Sequence, residues 1–266
     1  MRTKTLLMSA AALAAGVISS QAQSTVYSQN VVGYVNVTMP ANSFNLIGNQ
    51  LDLGAGSNTL NNVLNNGLIS YSGPSGTETG QHQTTIFIWN GTSFTGYFYY
   101  NSADSGGAPG WYDSGGNPVP PSVTLNPSQA AFVQNNYTSP ITVTLTGQVD
   151  QGTNTWTQVT PGFNFYSEPA PLAGTPLDST NINFPATSYT AGNGSQDTFQ
   201  AWTGSGYGPA YFYYNYSDSG GAPGWYNAAG TVNEDTNAAA WPTVGQGFQL
   251  QHFGATSNWV STFEVQ

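Results

Sequence analysis

The sequence predicts an all-β protein of two repeated antiparallel modules, sandwich-like or barrel-like, related by a pseudo-twofold axis. Three observations predict it. A sixteen-residue string occurs twice, Tyr97–Tyr112 and Tyr211–Tyr226, with fourteen identical positions at an offset of 114. Apolar and polar residues alternate with the period of a strand through long stretches, as in Ile141-Thr142-Val143-Thr144-Leu145-Thr146. Runs rich in Thr, Val, Tyr and Phe are separated by turn-forming Gly, Pro, Asn and Ser.

The chain opens with a signal-peptide pattern. Arg2 and Lys4 precede an apolar stretch, Leu6 to Ile18, and Ser20-Gln21-Ala22 offers a small-x-small cleavage site. The apolar stretch is shorter than the roughly 20 residues that span a bilayer. We therefore expect residues 1–22 to be removed on export, with no covalent anchor left behind. Residues 23–149 form the first module and 150–266 the second. Arg2 and Lys4 are the only Lys or Arg residues, so the formal charge of −10 becomes −12 on cleavage. Without cationic side chains, phosphate neutralisation is excluded, and nucleic acid with it. Attachment to anionic lipid through basic residues is excluded on the same ground. The chain has no cysteine, which rules out disulfides and thiolate chemistry.

Taken in order, the first strand spans residues 31–39. Phe44-Asn45-Leu46-Ile47 is the next, and it aligns with Phe163-Asn164-Phe165 in the second module. Leu60, Val63 and Leu64 have helical spacing behind Ser57-Asn58-Thr59, with Gly67 as a stop, so one short helix is expected near residues 58–66. Trp89-Asn90-Gly91 marks a hairpin turn, because both Asn and Gly tolerate positive φ; Trp202 aligns with Trp89. Gln129 to Gln134 aligns with Gln246 to Gln251.

Residues 141–149, a turn at 150–154 and residues 155–160 read as a hairpin joining the modules. By the repeat, the first strand and the last, Asn258 to Val265, are counterparts of that hairpin's two strands. They are left to pair with each other or with neighbouring molecules.

Val31-Val32-Gly33-Tyr34-Val35, Phe44-Asn45-Leu46-Ile47, Trp89-Asn90-Gly91 and Gly245-Gln246-Gly247-Phe248-Gln249-Leu250 together resemble secreted, repeat-containing β-module proteins. Such proteins are common in planctomycete–verrucomicrobial bacteria. The resemblance implies an extracellular β-module and supplies no catalytic residue.

The leading functional expectation is a non-enzymatic extracellular structural protein, a subunit of a surface layer, fibre or matrix, with itself as partner. Its assembly strands carry Val32, Tyr34, Val35 and Val37 at one end and Trp259, Val260, Phe263 and Val265 at the other. The alternative is a carbohydrate-binding or adhesive module with a polysaccharide as partner. Its aromatic platform comprises Tyr97, Tyr99, Trp111 and Tyr112, repeated as Tyr211, Tyr213, Trp225 and Tyr226, since flat rings stack on sugars. A third reading, a secreted glycoside hydrolase, needs two carboxylates brought together by the fold. No catalytic residue is assigned and no cofactor is required.

Calcium is the one metal considered, with Asp104, Asp113 and Asp218 as its carboxylates. The competing reading is a turn whose carboxylate caps backbone N–H groups. Glu234-Asp235 reads as a solvated loop pair, and His82 and His252 occupy unrelated positions in the two copies.

Overall fold

The computed structural model describes residues 31–68, 83–100, 107–179, 181–187, 195–214 and 222–264. The signal-peptide expectation lies outside the described residues, as do His82, Asp104, Asp218 and Val265. Strand patterning dominates the rest. The first module holds β1 (Val31–Met39), β2 (Ser43–Gly48), β3 (Thr84–Trp89), β4 (Phe94–Tyr100), β5 (Gly110–Tyr112), β6 (Ala130–Asn135) and β7 (Ile141–Val149). The second holds β8 (Gly152–Val159), β9 (Gly162–Ser167), β10 (Thr198–Ala201), β11 (Tyr211–Tyr214), β12 (Gly224–Tyr226), β13 (Gly247–His252) and β14 (Ser257–Phe263).

Among the described residues the one α-helix is α1 (Leu60–Val63), a single turn and shorter than expected. Leu60, Val63 and Leu64 point into the first core, and the chain leaves helical geometry at Leu64. Gly67 follows at φ +68, where a Cβ would lie 1.8 Å from the Thr142 carbonyl oxygen. Only glycine permits that approach.

Each module builds the same five-stranded antiparallel sheet. The order is β2-β6-β3-β4-β5 in the first and β9-β13-β10-β11-β12 in the second. Among the described residues no sheet closes into a barrel.

The remaining strands correct one expectation. β7 and β8 do not form a hairpin with each other. β7 pairs with β1 over nine residues, from Met39 opposite Ile141 to Val31 opposite Val149. β8 pairs with β14, with an irregularity between Asn258 and Val260. So the terminal strands are paired inside their own modules, and neither pairs with the other.

The physical reason is burial. Alternate β7 residues Ile141, Val143 and Leu145 enter the first core together with Val35 and Met39 of β1. Val159 of β8 and Trp259 of β14 enter the second. A strand whose apolar face belongs to one core finds its ladder partner there. The repeat identifies which strands are equivalent, but equivalence does not say which of them pair.

Each two-stranded ribbon covers one face of its own sheet. The first core lies beneath β1–β7 and is closed by α1, Trp111 and Leu125. The second is more aromatic, with Phe199, Trp225, Trp241, Phe248 and Trp259. A third cluster, Leu46, Ala130 and Phe132 with Phe87, Phe165 and Trp202, draws on both modules.

Candidate functional site

The repeated hairpin is a structural corner built the same way twice. Trp111 and Trp225 are 1% and 0% exposed, so neither offers a ring face to a ligand. Their partners explain the string Ala-Pro-Gly-Trp-Tyr. The Trp111 backbone N–H donates to Asn61 Oδ1 at 2.9 Å, and the Trp225 N–H donates to Asp235 Oδ1 at 3.0 Å. A Cβ on Gly110 would sit 2.8 Å from Asn61 Oδ1, and one on Gly224 would sit 1.9 Å from Asp235 Oδ2. The glycine is there to admit that side chain.

The tyrosine hydroxyls turn back on their own loops: Tyr112 donates to the Ala108 carbonyl at 2.6 Å, and Tyr226 to Ala222 at 2.8 Å. Tyr99 and Tyr213 set their rings edge-on to the tryptophans, at 5.5 and 5.3 Å. Tyr97, Tyr99 and Tyr213 are half-buried against the cores, and Tyr211 is buried. All eight aromatic residues singled out in the sequence are therefore buried or half-buried.

Asp113 is a turn cap. Its Oδ1 accepts the N–H groups of Gly115 at 2.8 Å and Asn117 at 2.9 Å. The Asn117 backbone and side-chain amides, with the Gly115 N–H, hold its carboxyl below the usual range. Asn227 occupies the same place in the second module and accepts from Thr231 N–H at 3.1 Å. A neutral side chain does the same work, so the turn does not require charge. Among the described residues no group of three or more His, Asp or Glu side chains converges as a metal site.

The ribbon strands carry the other sequence-predicted residues. Val35 is buried, while Val32 and Tyr34 are 60% and 71% exposed. Val37 and Phe263 are partly buried against the first core, Val260 is half-buried, and Trp259 is buried in the second core.

Sequence reasoning missed the module junction. There the contacts are reciprocal. Trp89 Nε1–H donates to the Phe163 carbonyl at 2.9 Å, and Trp202 Nε1–H donates to the Phe44 carbonyl at 2.9 Å. Gly48 N–H donates to Gly245, and Ser167 N–H donates to Ser128, at 2.9 and 3.0 Å. Phe94, Phe132 and Phe165 meet between the two tryptophans at centroid distances of 5.1 to 5.7 Å. The alignment of Trp89 with Trp202 and Phe44 with Phe163 contains this signal, but only as pairs of equivalent residues.

Two clefts flank the junction. One of about 460 Å³ is lined by Trp89, Tyr97 and Gln129 from the first module and Gln158, Asn164 and Phe165 from the second. The other, of about 450 Å³, is lined by Trp202 and Gln246 with Asn36, Thr38 and Asn45.

Among the described residues the buried carboxyl and imidazole groups, Glu168, Asp197 and His252, all lie in the second module. Glu168 is 0% exposed and makes no hydrogen bond among the described residues, and burial pushes its carboxyl up to about 9. Asp197 Oδ2 sits 2.7 Å from His252 Nδ1, and Asp197 also accepts the N–H groups of Thr187 at 3.0 Å and Phe253 at 2.8 Å. Asp235 is not a solvated loop residue: burial raises its carboxyl even as it accepts the Trp225 N–H. Burial and the charge of Asp235 push Asp178 up to about 6. Asp178 and Asp235 thus act on each other, as do Asp150 and Asp52, and none of the four lines the junction clefts. No protein-family model, curated protein or solved structure matches the chain.

Proposed function

We propose that the chain is a non-enzymatic extracellular structural protein whose two modules are related by a pseudo-twofold axis and which self-associates along strand edges. The likeness to secreted β-module proteins, the signal-peptide pattern and the reciprocal junction contacts support this reading. One observation carries it. β1 has a single neighbour, β7, and its other edge makes no backbone hydrogen bond among the described residues. β8 is left in the same condition.

The inner ribbon strands differ. β7 is bridged by Asp52, whose N–H and C=O both bond to Gln148, and Thr262 of β14 donates to the Asn181 carbonyl. The open edge of β1 runs for nine residues and contains no charge and no proline. Natural edges of this length are usually blunted by Lys, Pro or a bulge. The pairing we propose therefore runs through the outer edges of β1 and β8 of successive molecules, with β14 remaining in place.

Sedimentation velocity at rising concentration, with negative-stain microscopy, tests it. The mature protein forms extended oligomers. Val32→Lys with Tyr34→Lys, both on exposed positions, abolishes them while the melting temperature holds. A mature protein that stays monomeric at high concentration overturns the reading.

A further inference from the structure

We infer that the larger junction cleft is a binding site for a neutral saccharide. The chemistry of its walls points there. Among the described residues none lining it carries a charge, so an ionic ligand finds no counter-ion there, whereas a neutral polyol meets amides, hydroxyls and an indole. Its volume falls within the roughly 300–1,000 Å³ of small-ligand sites.

The cleft holds hydrogen-bonding capacity that the protein does not use. The Gln158 amide and the Tyr97 hydroxyl make no hydrogen bond among the described residues; Gln129 engages only its Oε1, with the Asn126 N–H. Trp89 is fixed by its indole bond to Phe163 and by the rings of Phe94 and Phe165, at 4.9 and 5.7 Å. A ring already held in place loses little freedom when a sugar face docks on it.

The smaller cleft makes a useful contrast. There Gln246 spends both ends, its Nε2 on the Trp202 carbonyl and its Oε1 on Thr243. Thr38, where the first cleft has Gln158, bonds to the Thr142 hydroxyl at 2.9 Å. The two clefts are equivalent by the repeat, but only the first keeps free donors and acceptors at these places. One saccharide site per chain follows.

This inference does not depend on edge pairing. It is tested by calorimetric titration of the Val32→Lys, Tyr34→Lys protein, so that self-association cannot interfere. The probes are cellohexaose, xylohexaose, laminarihexaose and mannohexaose, with oligogalacturonate as the acidic comparison. At least one neutral hexasaccharide binds at one site per chain. Gln158→Ala and Tyr97→Phe each weaken it about five-fold, the worth of one hydrogen bond, and Thr38→Ala changes nothing. Absence of binding by all four neutral sugars overturns the site, as does preference for the acidic one. So does binding indifferent to both Gln158→Ala and Tyr97→Phe.

Discussion

The two modules share one strand plan, and they differ most where a polar side chain is buried. Asn49 in the first module is replaced by Glu168 in the second, and Thr84 and Asn135 are replaced by Asp197 and His252. The registers fix these equivalences: Gly48 and Ser167 stand at the same ladder position, as do Asn135 and His252. In the first module the neutral amides are engaged. Asn49 donates to the Leu125 carbonyl and accepts the Leu51 N–H. Asn135 donates to the carbonyls of Pro40 and Ser139, both at 2.9 Å. The second module puts titratable groups at those points. One backbone plan thus accepts either chemistry, and the pH response of these buried positions should reside in the second half.

The largest expected effect is at Asp197. It ties together β10, β13 and the segment before β10, holding His252 and two backbone N–H groups. Asp197→Ala leaves all three without their acceptor and should cost about 3–5 kcal/mol. Denaturant unfolding measures it. Thr84→Ala, at the equivalent place, should cost much less, and equal losses would break the comparison. The pair also has a pH signature. Desolvation lowers the His252 imidazole, but the Asp197 hydrogen bond and charge, with the Ala255 carbonyl, outweigh it and leave a net rise. A raised base contributes stability below its ordinary value near 6.5, and that contribution is lost as pH climbs through the folded-state value.

Glu168 comes next, with a gain rather than a loss. Its carboxyl is held near 9 against an ordinary 4.5. The unfolded chain releases the proton above 4.5 and the folded chain keeps it, so stability falls as pH rises between these values. At pH 7 the accumulated penalty is about 3 kcal/mol. Glu168→Gln removes the titration and should recover most of it, flattening the decline from pH 5 to 9. Asn49→Glu, the reverse exchange, should introduce such a decline in the first module. Both are read from chemical denaturation at a series of pH values. A pH-independent gain from Glu168→Gln would mean the carboxyl is not buried as described.

Much of this architecture was legible in the sequence, for a physical reason. Strand periodicity and a duplicated string are local signals, so the strands, the short helix and the two-module plan could be read directly. The partner of each strand is not local. Thr155 to Thr160 read as the hairpin partner of β7, and only the two separate cores give it to β14 instead. The twin hairpin shows the same limit. Its glycine and tryptophan were plain, but Gly110 is required by Asn61 from α1 and Gly224 by Asp235 from a loop. Segments unrelated by the repeat supply the same acceptor. Burial of Glu168 left no trace in its neighbours, Ser167 and Pro169. The clefts were invisible because each is made from two modules.

The smallest expected effect probes whether the modules dock as a unit. Trp89 and Trp202 each donate one hydrogen bond across the junction, to Phe163 and to Phe44. Replacing either by Phe keeps an aromatic ring and removes one bond, which should cost about 1 kcal/mol. Their surroundings are not the same. Trp89 lies against Phe94 and Phe165, while Trp202 lies against Phe132 and Tyr207, at 5.0 and 5.2 Å. The two rings do not touch each other, but both reach the same cluster through the contact of Phe132 with Phe165 at 5.5 Å. If the junction closes as one body, the double variant Trp89→Phe, Trp202→Phe departs from the sum of the single effects by more than about 0.5 kcal/mol. Strict additivity in a thermal or denaturant cycle would mean that the two clasps act separately, each serving its own side of the aromatic cluster.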